Sequence, residues 1–196
     1  MERLSLAFFA RDTLIVAREL LGMHLVRTIE GTTVTARITE TEAYIGRMDK
    51  ACHAYGYKRT PRTETLFAPP GTAYIYLIYG MYHCLNFVTE AEGEPAAVLI
   101  RGAEPVTPAD RDALSLIRFG CIYDQLTSYQ RKNFLNGPGK LCKGLSLTRA
   151  QNGIPLDGEQ LYLTNPHDPP QNIKVAKRIG IDYAEEAVNF PWRFYL

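Results

Sequence analysis

The sequence predicts an α+β fold: a curved antiparallel sheet covered by helices, with one β-hairpin protruding from it. Three observations point there. Alternating apolar segments broken by tight-turn signals recur through the first hundred residues, two stretches carry helical apolar spacing with caps, and no internal repeat or linker divides the chain. With 196 residues and 46% hydrophobic composition the chain can bury a sizeable core, which favours one domain over 1–196.

The elements follow in order. "TLIVARELLG" has helical apolar spacing, with Asp12 as N-cap and Gly22 as stop. "MHLVRTI" and "TVTARITETEAYI" flank Glu30-Gly31 and read as two antiparallel strands closed by a tight turn. The second places Glu40, Glu42 and Tyr44 on one face, because strand side chains alternate with period two. Residues 46–73, rich in glycine, proline and charge, form a long surface excursion. "YIYLIY" and "YHCLNF" then alternate around a two-residue Gly80-Met81 turn, which puts Tyr79 and Tyr82 at a hairpin tip. "AAVLIR" is too uniformly apolar for a half-exposed strand and reads as central, ending at Arg101, which needs a partner. "ADRDALSLIRF" is a helix capped by Thr107 with Pro108 in its first turn, "NGPGKLCKGLSL" opens a short helix, and "WRFYL" is a last strand.

Composition narrows the functional classes. No run of about 18 apolar residues appears and "MERLSLAFFARDTLIV" is broken by charge, so a cytoplasmic protein with neither membrane span nor signal is expected. Cys52, Cys84, Cys121 and Cys142 include no C-x-x-C pair and read as reduced thiols; His24 and His83 have no partner at metal-ligand spacing. A net charge of +1 speaks against a nonspecific nucleic-acid coat. The charge is uneven, however: Lys50, Lys58, Arg59 and Arg62 cluster, as do Arg131, Lys132, Lys140, Lys143 and Arg149, and Glu90, Glu92 and Glu94 form an acidic patch. Any one cluster alone reads as solvated surface.

Glu42 beside Tyr44, with His53 on the next loop, has the makings of a general base near aromatic walls, although from spacing alone an exposed strand glutamate is the commoner case. Tyr74 reads as packing and Tyr76 as a stacking face, whereas an aromatic at a hairpin tip points away from its own core and can wedge into a base step. "GPGK" presents Lys140 near backbone N–H groups but lacks the full phosphate-loop pattern.

Taken together, "ITETEAYIG", "DKACHAY", "TPRTETLFAPPGTAYIYLIYGMYHCLN", "VLIRGAEP", "GPGKLCKGL" and "RFY", running from about Leu6 to Tyr195, resemble the alkyladenine (3-methyladenine) DNA glycosylases of the mammalian type, in a bacterial form. The resemblance implies a monomeric, cofactor-free enzyme that binds duplex DNA in the minor groove. It flips an alkylated or deaminated purine from the stack and hydrolyses its N-glycosidic bond, without lyase activity. It places the catalytic glutamate on Glu42, the water-positioning arginine on Arg101, and the stacking walls on Tyr44, His53 and Tyr76. It places the guanine-excluding asparagine on Asn86, the intercalating tyrosine on Tyr79 and its neighbour in the DNA wedge on Met81. Apart from the resemblance, Arg62 of the first basic cluster and Lys140 of the "GPGK" turn are the candidate basic DNA contacts. "TEAEGEP" is longer than in mammalian relatives, so the loop between Asn86 and Arg101 departs from the family pattern. Two rival readings remain: a binding module in which Glu42 is idle, and a hydrolase of free nucleosides.

Overall fold

The computed structural model describes residues 2–196. Nine strands join one antiparallel sheet: β1 (Glu2–Arg3), β2 (His24–Ile29), β3 (Thr32–Ile45), β4 (Ala73–Ile78), β5 (Tyr82–Val88), β6 (Ala96–Pro105), β7 (Leu161–Asn165), β8 (Lys174–Ala176) and β9 (Arg193–Tyr195). The path runs β1-β7-β2-β3-β6-β5-β4, and β9 pairs with both β3 and β8. Four α-helices accompany it: α1 (Thr13–Glu19), α2 (Pro108–Phe119), α3 (Ser128–Lys132) and α4 (Pro138–Gly144). The α+β expectation is met. Among the described residues no helix is long and apolar enough to cross a membrane.

Local chemistry explains the elements that were foreseen. Asp12 caps α1 by accepting from the Leu14 and Ile15 N–H groups, and Thr107 and Asp110 form a reciprocal capping box on α2. Ile29 pairs with Thr32, leaving Glu30 and Gly31 as the two-residue turn. Three expectations need correction. Ile78 pairs with Tyr82, so the hairpin tip has three residues, Tyr79, Gly80 and Met81, with φ of 52° at Tyr79 and 68° at Gly80. Tyr82 is therefore on β5 rather than at the tip, half-buried against α4, where a Cβ on Gly139 would lie 2.8 Å from its ring. The strand holding "AAVLIR" does not end at Arg101 but bends there and continues to Pro105. The short strands β1, β7 and β8 had no sequence signal of their own.

The bends matter most. Between Ile38↔Ala103 and Thr41↔Ile100 the ladder of β3 and β6 slips twice, leaving Thr39 unpaired on β3 and Arg101 unpaired on β6. Before the slip, Val34, Ala36 and Ile38 face the main core; after it, Ala43 does, and the Thr41 hydroxyl donates to the Ala17 carbonyl on α1. An extra residue reverses which face each later side chain occupies. Without it, Glu40, Glu42 and Tyr44 would follow Ile38 into the helix-covered core. With it they turn to the opposite face.

Candidate active site

That opposite face carries a cavity of about 340 Å³. Four strands supply its floor by alternation: Tyr44 from β3, Tyr74, Tyr76 and Ile78 from β4, Cys84 and Asn86 from β5, and Ala97, Leu99 and Arg101 from β6. The intervening residues Ile75, Leu85, Phe87, Val98 and Ile100 face the helices instead. Cys52, His53 and Leu66 of the long excursion close one side, Ile179–Tyr183 close another, and Tyr79 stands at the rim.

Glu42 is fully buried and sits just behind the wall. One carboxylate oxygen accepts from the Tyr44 hydroxyl at 2.7 Å and the other from the Ile179 N–H at 2.8 Å. Arg101 nitrogens lie 3.4 Å from each oxygen. Burial pushes the Glu42 carboxyl above the usual range; Arg101, the Tyr44 hydroxyl and the Ile179 N–H pull it down without cancelling that effect. Arg101 is itself held by Glu40, 3.1 Å from its Nε, and Glu40 also pairs with Arg193 at 2.9 Å. The carboxyl group thus stands beside a cation and next to an aromatic space.

The ring walls are mutually fixed. His53 packs edge-on to Tyr76 with centroids 4.6 Å apart, and Tyr74 and Tyr76 tilt against each other at 5.3 Å. His53 Nδ1 is 3.2 Å from the Tyr74 hydroxyl and Nε2 is 3.4 Å from Arg62. Burial, then Arg62, pushes the His53 pKa down to about 4, so the ring is neutral at neutral pH. With Arg62 donating to Nε2, the ring proton resides on Nδ1 and is given to Tyr74. Asn86 is buried and its Nδ2 donates to the Tyr74 and Cys84 carbonyls. Both amide hydrogens are used, which leaves its oxygen as the free end of the side chain.

The structure therefore gathers Tyr44, His53, Tyr76, Tyr79, Asn86 and Arg101 around one cavity, with Glu42 against its wall. Met81 is 61% exposed beside Tyr79, which is 81% exposed. Arg62 leans over the Tyr76 ring at 5.2 Å. Lys140 stands apart: its ammonium donates to Asn133, at 2.7 Å, and to Asn136. Sequence reasoning missed the Ile179–Tyr183 segment. Its contribution to Glu42 is a backbone N–H, which no residue type announces.

Comparison with known proteins adds a separate line of observation. A family described as methylpurine-DNA glycosylase matches residues 7–196. A Clostridium perfringens (strain SM101 / Type A) protein named "Putative 3-methyladenine DNA glycosylase" is 52% identical over 197 residues, covering 99% of this chain and 95% of its own. Proteins of the same name are similar too: that of Desulfitobacterium hafniense (strain Y51) is 53% identical over 196 residues, covering 100% and 96%. That of Clostridioides difficile (strain 630) is 44% identical over 199 residues, covering 96% and 98%.

Proposed function

Because the chain belongs to the methylpurine-DNA glycosylase family and is a DNA glycosylase, we propose that residues 1–196 act as one monomeric domain on duplex DNA. The substrates are alkylated or deaminated purines: 3-methyladenine, 7-methylguanine, hypoxanthine and ethenoadenine. A base inside the stack is out of reach of a carboxylate, so the nucleotide is extruded and Tyr79, with Met81, fills the gap. Extrusion costs a few kcal/mol, which stacking of the flipped base on Tyr44, Tyr76 and His53 offsets at about 1–3 kcal/mol per contact. Electron-poor or cationic purines gain most from such rings. Asn86, held in place by its donations to the Tyr74 and Cys84 carbonyls, narrows the cavity against the exocyclic amino group of guanine.

Glu42 is the general base and Arg101 orients it and the water. The water oxygen bonds to the anomeric carbon, the carbon–N9 bond breaks with its electron pair going to the purine, and the water's proton passes to Glu42. An N-alkylated cationic purine leaves as a neutral base; hypoxanthine requires a proton as it departs. Among the described residues no lysine lines the cavity, which supports simple hydrolysis over a Schiff-base lyase reaction. The observation that carries this reading is the placement of a fully buried, Arg101-paired carboxylate directly behind a ring-lined cavity.

The test is a labelled duplex containing one hypoxanthine or ethenoadenine, treated with alkali after incubation. Scission is expected with the wild-type protein and a loss of at least about 100-fold with Glu42→Gln. Activity on free nucleosides but not duplex selects a nucleoside hydrolase, binding without release selects a non-catalytic module, and borohydride trapping of a covalent DNA adduct overturns the hydrolytic mechanism. Because Glu42 must be ionised to act, and burial raises its pKa, the rate should climb with pH along an acid limb centred above the usual carboxylate range.

A further inference from the structure

Among the described residues, one ion pair has both side chains fully buried: Arg178 with Asp49. The Arg178 Nη atoms lie 2.5 and 2.7 Å from the two Asp49 oxygens and donate also to the Ala43 and Ala187 carbonyls. Asp49 in turn accepts from the Ala51 N–H at 2.9 Å, at the base of the loop that carries His53. The guanidinium lies over the Tyr44 ring at 4.6 Å and the Trp192 ring at 5.1 Å. Arg178 is not part of the cavity wall, whereas Tyr44 is. It therefore covers the face of Tyr44 turned away from the cavity. The next residue supplies the N–H that holds Glu42 at 2.8 Å.

A buried ion pair is a poor way to gain stability, since desolvating both charges offsets most of their attraction and apolar replacements often do as well. What this pair does supply is direction. It joins two parts of the chain that are far apart in sequence, 43–51 and 178–192, and contacts the back of one wall, the root of a second and the backbone donor to the carboxylate. We propose that the Asp49–Arg178 pair is a positioning device for the reaction, clamping the Tyr44 ring from behind and fixing residues 178–179 so that the Ile179 N–H holds the Glu42 carboxylate. This rests on the assignment of Glu42 as general base above.

The device has a signature that a purely structural pair lacks. Glu42 faces the Tyr44 hydroxyl and Glu40 from β3, Arg101 from β6, Glu40-bound Arg193 from β9, and Arg178 with the Ile179 N–H from the closing segment. Arg178 and the Ile179 N–H both favour the ionised carboxylate. Removing them moves the acid limb of the rate upward in pH, while Arg101 remains.

The experiment compares single-turnover base release from an ethenoadenine duplex across pH for the wild type, Asp49→Asn/Arg178→Met and Glu42→Gln. The double variant leaves no lone buried charge, and far-ultraviolet circular dichroism together with thermal unfolding checks its fold. We expect a loss of about 10- to 100-fold at neutral pH, the scale of a misplaced reacting group, with an acid limb displaced to higher pH. A folded double variant with wild-type rate and limb, beside an inactive Glu42→Gln, overturns the positioning role alone. An active Glu42→Gln overturns the general-base assignment instead. Should the double variant fail to fold, Arg178→Lys carries the test, keeping the charge but losing the two-pronged grip: a smaller displacement of the same sign supports the device, and a limb coincident with wild type overturns it.

Discussion

The rim and the floor of the cavity are built on opposite terms. At the rim, Tyr79 and Met81 are largely exposed on a turn that holds Tyr79 at φ 52°, a left-handed conformation unfavourable for a residue with a Cβ. At and just behind the floor, Arg101 pairs with buried Glu42 and Arg178 with buried Asp49, and main-chain groups hold both pairs. The rim has surface to offer and little to lose; the floor has geometry to keep. On the proposed function the difference has a reason: a group that is to enter DNA must be free of its own fold, whereas a carboxylate that is to act as a base out of water must be satisfied by it.

The contrast can be broken at its strongest point first. Asp49→Ala leaves Arg178 buried without its counter-ion, and the expected loss is about 3–5 kcal/mol of folding stability, read by urea unfolding. A loss under about 1 kcal/mol would mean that water reaches the guanidinium and that the floor is not sealed.

His53 tests the wall between the two regions. Its folded pKa of about 4 lies below the ordinary 6.5, so the unfolded chain binds the proton more readily. The contribution is fully present above pH 6.5 and is lost as pH falls towards 4, by up to about 3 kcal/mol. Unfolding free energies measured between pH 7 and 4.5 should fall more steeply for the wild type than for His53→Phe. Parallel curves would place the ring in water.

The rim should show the smallest effect on stability. Tyr79→Gly relieves the left-handed strain while adding freedom to the unfolded chain, so stability should change by less than about 1 kcal/mol. Lesion-duplex affinity should nevertheless weaken about 10- to 100-fold, the scale of one lost stacking contact. Thermal unfolding beside fluorescence-anisotropy titration checks both, and unchanged affinity would remove Tyr79 from the DNA interface.

The same contrast explains what the sequence could reveal. Asp12, Thr107 and the Glu30-Gly31 turn act over a few residues, and each was legible. So were the rim and the ring-bearing strands, because alternation is local. The tip was read one residue short, since a tyrosine with positive φ is not what turn chemistry suggests. The floor was only half legible. Glu42 beside Tyr44, and Arg101 in need of a partner, were legible as residues and took their expected roles from the resemblance, but the bulge at Thr39 that turns Glu42 away from the core leaves no mark in the alternation itself. Ile179 and Arg178 lie more than a hundred positions from the groups they hold. Periodicity carries no information across that span.

The most direct trial of the whole account measures affinity for an ethenoadenine duplex and single-turnover base release side by side in Glu42→Gln and Tyr79→Gly. The account requires the two to separate: Glu42→Gln keeps its grip and loses release, while Tyr79→Gly loses grip and still releases base once saturated. Release that persists in Glu42→Gln, or affinity and release falling together in both variants, would contradict it.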